Sequence, residues 1–131
     1  MKHEYKFKIF YDDTDATGLV YHSNYLKFFE RARTVYLQDK NIYQKDLLKN
    51  EICFVVAKAD LSFLKPAFFE DELIVFTDIL YKKKTSVNFC QILVNSDNKV
   101  LCKANITIAC VHTKNLKPLR IPEQILQEIN K

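Results

Sequence analysis

The residues that concentrate chemistry in the shortest span are Asp12, Asp13, Thr14 and Asp15, followed by Gly18 and then His22. Aspartates ahead of a helix serve as turn formers and as favourable charges near its positive end. Asp15 invites a second reading. Leu19-Val20-Tyr21 behind Gly18 turns the loop inward, and a carboxylate taken out of water is either paired or put to use. A helix beginning just beyond supplies backbone N–H groups without intrahelical partners, carrying about half a positive charge and suited to an oxygen on which negative charge develops. A carboxylate facing such a helix start can attack a carbonyl, or activate water against it. This is acyl-transfer chemistry, and it calls for neither metal nor cofactor.

The cysteines offer less. Cys53, Cys90, Cys102 and Cys110 each sit within an apolar run, and no two form a C-x-x-C pair. Cys110-Val111-His112 places a thiol and an imidazole on one face of a strand, which suggests a nucleophile–base pair or a metal ligand set. With no further Cys/His cluster nearby, the ligand count for zinc falls short. Buried thiols in a reducing compartment are the better reading.

The elements that must position Asp15 follow from periodicity. Tyr5, Phe7, Ile9 and Tyr11 alternate with other residues, which predicts a strand over 5–11 with those four on one face. In the turn that follows, Gly18 supplies a backbone angle other residues resist. From Asn24 the period changes: Tyr25, Phe28, Phe29, Ala32 and Tyr36 form one stripe of a helix running to about Lys40, with Lys27, Glu30, Arg31, Arg33 and Gln38 on other faces. Ser23 or Asn24 is the expected N-cap, and Glu30 is expected to pair with Arg33 or Arg31. A short helical or irregular piece at Gln44–Asn50 precedes strands at Cys53–Leu64, Glu72–Lys82, Ser86–Asn95 and Val100–His112, with a hairpin turn at Ser96–Lys99. Pro122–Asn130 reads as a short amphipathic helix. The aromatic stripe needs a curved sheet to cover it, so the fold class is α+β, one five-stranded antiparallel sheet around one long helix. Open sheet edges favour association of copies.

Composition excludes several function classes. The 131 residues form one domain, 1–131, with a single glycine, where average usage of about 7% would give about nine. No glycine-rich phosphate loop or dinucleotide fingerprint is possible. Net charge is +4, from 20 Lys and Arg against 16 Asp and Glu, and Lys82–Lys84 is the one run of like charge. Nucleic-acid binding wants a denser basic face, so the balance suits a small anionic ligand. No apolar run reaches the ~18 residues of a membrane span. The segment Met1–Lys6 is charged and lacks the apolar stretch of a secretory signal, which predicts a cytoplasmic protein.

The run Tyr11-Asp12-Asp13-Thr14-Asp15-Ala16-Thr17-Gly18-Leu19-Val20-Tyr21-His22-Ser23-Asn24-Tyr25, continuing to Glu30-Arg31-Ala32-Arg33, resembles the signature Y-x-D-T-D-x-x-G-x-V-Y-H-x-x-Y…E-x-A-R. That signature marks hot-dog-fold acyl-CoA thioesterases of the 4-hydroxybenzoyl-CoA thioesterase family, in particular the group associated with the Tol–Pal envelope system. Weaker similarity, including Phe54-Val55-Val56, extends over nearly the whole chain. The resemblance implies a hot-dog fold and hydrolysis of acyl-CoA without a cofactor or metal. It makes Asp15 the catalytic carboxylate, as nucleophile or general base, and assigns the His22 backbone N–H to the thioester carbonyl. The Tyr11 and His22 side chains join the site. Val20, Tyr21 and Tyr25 are expected to line the acyl pocket at the helix start. Lys83 and Lys84 match basic positions that hold coenzyme A phosphates. Thr17 departs from the pattern, since many relatives carry a second glycine there. The expected assembly is a homodimer or homotetramer, with acyl-CoA, or an acyl group on acyl carrier protein, as substrate. A dehydratase of the same fold and a non-catalytic acyl-carrier binder are the competing readings.

Overall fold

The computed structural model describes residues 2–129. In chain order it contains β1 (His3–Lys8), a single 3-10 turn (Tyr11–Asp13), α1 (His22–Gln38), α2 (Gln44–Lys49), β2 (Ile52–Phe63), β3 (Glu72–Lys82), β4 (Ser86–Asn95), β5 (Val100–His112) and α3 (Glu123–Glu128). Residue Asn130 of the expected last helix lies outside the described residues. The sheet order is β1-β3-β4-β5-β2, and every neighbouring pair is antiparallel.

That order explains the long helix. β1 and β2 are opposite edges of the sheet, yet only the 3-10 turn, α1 and α2 separate them in sequence, so the chain must cross the sheet's width between them. Five strands span about 19 Å at about 4.8 Å each, and the 17 residues of α1 reach about 25 Å. The crossing runs over the face that carries the alternating apolar side chains. Tyr25, Phe28, Phe29, Ala32 and Tyr36 are all buried there against Leu73, Val75, Phe89, Leu93, Ala104 and Ile106.

The strand limits at Glu72–Lys82, Ser86–Asn95 and Val100–His112 match the expectation, and the hairpin turn shows why it forms. The Asn95 side-chain oxygen accepts from the N–H groups of Asp97 and Lys99, both at 3.0 Å, while Asn98 takes a positive φ of 60°. Elsewhere the structure corrects the sequence. β1 ends at Lys8, and Tyr11 leaves the face shared by Tyr5, Phe7 and Ile9 for the 3-10 turn, where it is 74% exposed. The helix begins at His22, so Ser23 and Asn24 lie inside it and neither is the N-cap; Tyr21 is, with no side-chain capping bond. Among the described residues Glu30 forms no ion pair with Arg31 or Arg33; it accepts the Thr34 hydroxyl at 2.9 Å.

Arg33 is the largest departure, because it is buried rather than on an outer face. Its Nη1 donates to Gln91 Oε1 at 3.1 Å, and Gln91 Nε2 donates to the Phe29 carbonyl and to Thr77 Oγ1, each at 3.0 Å. Gln91 and Thr77 occupy inward positions of β4 and β3, so this polar thread fixes the helix in register over the sheet. Among the described residues no helix is long and apolar enough to cross a membrane.

The fully enclosed Phe29 ring is the natural probe of this packing. Phe29→Ala should lower the free energy of unfolding by about 3–5 kcal/mol, read as a lower urea midpoint at unchanged slope.

Candidate active site

The loop between β1 and α1 is a miniature hairpin. Thr14 bridges Val20, Leu19 bridges Phe68, and Asp15 N–H donates to Leu19 O at 2.8 Å while Gly18 N–H returns to Asp15 O at 3.1 Å. Gly18 has φ +81°, an angle that side-chain-bearing residues rarely adopt. The loop is tied to the helix by Asn24, whose Nδ2 donates to the Asp13 carbonyl at 2.8 Å, the same carbonyl that accepts from Tyr21 N–H at 3.3 Å. The buried asparagine therefore sets the loop against the first helical turn.

The Asp15 carboxylate is held by one oxygen. Oδ1 accepts from Thr17 Oγ1 at 2.6 Å, from Thr17 N–H at 2.8 Å and from Leu19 N–H at 3.3 Å. Oδ2 has no hydrogen bond among the described residues. The Thr17 hydroxyl, then its amide, hold the Asp15 carboxyl below its ordinary value, against a smaller opposing push from desolvation. Thr17, the departure from the motif, thus supplies the strongest stabilisation of the anion. The expectation of a buried anion is corrected: in the single chain Asp15 is partly exposed at the wall of an open pocket.

That pocket brings Asp15, Val20, Tyr21, His22 and Tyr25 together. Tyr25 is buried at the back, its phenolic oxygen accepting from Ala67 N–H at 3.1 Å, and burial raises its pKa, so it is a neutral phenol. The His22 ring packs against Phe63 with centroids 4.7 Å apart. The His22 amide sits in the opening turn of α1, which no side chain caps. A carboxylate with a free oxygen and a helix start with uncapped amides thus share one pocket, the arrangement that can activate a nucleophile against a polarised carbonyl.

The remaining expected site residues lie elsewhere. Tyr11 packs edge-on against Phe69 at 5.5 Å and does not line the pocket. Lys83 and Lys84 are exposed on the β3–β4 turn, with the Lys83 ammonium 5.3 Å from the Tyr81 ring centroid. Phe63 aligns with Cys102 and Leu93, whereas that turn ends at Ser86, seven residues up β4, about 23 Å away. Conversely, Phe63, Leu64, Lys65 and Pro66 form the pocket's opposite wall. Nothing in the sequence placed the end of β2 beside Gly18.

Cys102 and Cys110 are buried, and desolvation pushes Cys102 up to about 11 and Cys110 in the same direction. Burial thus disfavours the thiolate form of both. His112 lies 3.2 Å from Glu51, and its Nδ1 accepts from Lys114 N–H at 3.1 Å.

A family model described as the thioesterase-like superfamily matches residues 10–129. By sequence the chain is 37% identical over 121 residues to the acyl-CoA thioester hydrolase YbgC of Escherichia coli O6:H1, covering 92% of this chain and 90% of the relative. It is 38% identical over 119 residues to the acyl-CoA thioesterase YbgC of Haemophilus influenzae, covering 90% and 87%. Its fold is similar to that of Slr0204, a 1,4-dihydroxy-2-naphthoyl-CoA thioesterase from Synechocystis, with a TM-score of 0.92 at 18% identity over 99% of this chain and 96% of that one.

The role of Thr17 can be measured. Thr17→Val keeps the amide and removes the hydroxyl, so the midpoint of the Asp15 carboxyl, followed by carbon NMR, should rise toward the ordinary 3.8. A lowered carboxyl pKa adds stability above the unfolded-state value and loses it as pH falls through the folded-state value. Wild type should therefore show this contribution fading below pH 3.8, and Thr17→Val should show less of it.

Proposed function

The chain belongs to the thioesterase-like superfamily, and from that premise we propose how it acts: it is an acyl-CoA thioesterase in which Asp15 drives cleavage and the first amides of α1 hold the carbonyl. The observation that carries this reading is the shared pocket of Asp15 and His22, with Oδ1 anchored by Thr17 and Leu19 and Oδ2 left to react.

The overall change is R–CO–S–CoA plus water to R–COOH plus CoA–SH. As general base, Asp15 takes a proton from water while the water oxygen bonds to the acyl carbon. As nucleophile, Oδ2 forms that bond itself, and water then cleaves the anhydride. On either route the carbonyl oxygen becomes anionic beside the His22 amide, where the helix start stabilises it. The C–S bond breaks as that oxygen returns its electrons; on the base route the thiolate takes the proton that Asp15 holds, and on the nucleophile route it takes the proton released when water cleaves the anhydride. Val20, Tyr21 and Tyr25 contact the acyl group.

The open side of the Asp15 pocket supports a homodimer. β2 is an edge strand exposed along most of its length, with Val55, Val56 and Phe63 among the exposed apolar residues. An unpaired edge of this kind accepts a second strand. Antiparallel pairing of β2 with its counterpart brings the far end of one copy toward the Asp15 pocket of the other. The Lys83–Lys84 turn then lies within reach of the coenzyme A phosphates, and the partly exposed carboxylate becomes enclosed.

Release of thiol from acyl-CoA substrates tests the assignment. Asp15→Asn should lower kcat by about 10²–10⁴, while His22→Ala, which keeps the amide, should stay within about tenfold of wild type. An Asp15→Asn protein at wild-type rate ends this reading. Lys83→Ala with Lys84→Ala should raise KM for coenzyme A esters and leave kcat, with the difference shrinking at high salt.

A further inference from the structure

Between the middle of α1 and the sheet lies a second cavity that the proposed reaction does not use. Most of its wall is apolar, from residues that include Leu37, Phe54, Phe89, Ile108 and Ile125. Two charged side chains also line it. Glu30 is exposed and engaged with Thr34. Arg33 is 7% exposed.

A guanidinium offers five N–H donors, and the hydrogen bond Arg33 makes is the one from Nη1 to Gln91. Gln91 has spent its own amide on Phe29 and Thr77. Among the described residues the fully enclosed side-chain nitrogen or oxygen without a partner is His3 Nδ1. The unspent donors of Arg33 therefore reach open space, and the open space beside them is this cavity. Burial lowers the Arg33 pKa to about 10, partly offset by Glu30, so it remains a cation at neutral pH. A desolvated cation with unspent donors in an apolar wall is costly unless an anion meets it. Its planar fork matches a carboxylate.

We propose that this cavity binds a short aliphatic carboxylate, the carboxylate on the Arg33 guanidinium and the chain among Phe54, Phe89, Ile108 and Ile125. The cavity is partly open to solvent, and its space of about 90 Å³, at about 10–15 Å³ for each water, holds about six waters, room for the chain of an acid of about four to six carbons. Within one chain the site is separate from the Asp15 pocket, since Glu30 lies eight residues along α1 from His22, about 12 Å. The ligand belongs to the class of acid that thioester hydrolysis releases, although its recognition by this cavity does not depend on that reaction.

Calorimetric titration with sodium hexanoate tests it, and no turnover is involved. Wild type and Asp15→Asn should bind one hexanoate with equal affinity. Arg33→Gln should weaken binding at least about tenfold, and hexan-1-ol should bind both proteins weakly and alike. Thr34→Phe plugs the cavity while leaving Arg33 in place, so it should abolish binding, and it decides the matter if Arg33→Gln does not fold. No binding to wild type at about 10 mM overturns the proposal. So does binding that survives Thr34→Phe, or binding lost in Asp15→Asn, which would put the ligand in the other pocket.

Discussion

One crossing governs this molecule. The helix that links the two edge strands has to traverse the sheet, so it has to be long and must bury a wide aromatic stripe against the inward face. Burial of Tyr25, Phe28 and Phe29 near its beginning leaves that first turn little freedom to move, since these side chains are packed at interior density. The helix start is then a fixed point in the structure. A fixed set of amide donors is what makes electrostatic stabilisation effective, because nothing has to reorganise when charge appears.

The loop ahead of the helix is matched to that fixed point by polar contacts rather than by bulk. Asn24 reaches back to the Asp13 carbonyl, Gly18 allows the reversal, and Thr17 with Leu19 ties down one carboxylate oxygen. Each of these uses a short side chain or the backbone itself, so the loop stays small enough to sit beside the helix start. Keeping the carboxylate anionic in a pocket that is still open needs no large desolvation, and the hydrogen bonds of Thr17 outweigh the small one present.

Farther along the same helix a different compromise holds. Arg33, Gln91 and Thr77 introduce polar groups where the surrounding positions are apolar. Replacement of such a thread by hydrocarbon is often neutral or stabilising, so stability alone gives no reason to keep it. The registration of helix over sheet and the proposed anion site are the two uses the geometry offers.

Much was legible from the order of residues alone. Alternation located β3, β4 and β5 to the residue, the i, i+3, i+4 stripe located α1, and the spacing from Asp15 to the helix start, joined to the family signature, singled out the carboxylate. These are local signals, set by which side chains share a face of a strand or helix. What stayed hidden depends on contacts between distant segments. Periodicity put Arg33 outside because a charged residue is expected in water; it is inside because Gln91, 58 residues on, accepts from it. Tyr11 left its strand because β1 ends three residues early, and the wall from Phe63 to Pro66 faces Asp15 only through the return of β2 past the Gly18 loop. Pairing across such separations is decided by how the sheet closes over the helix, which no local pattern encodes.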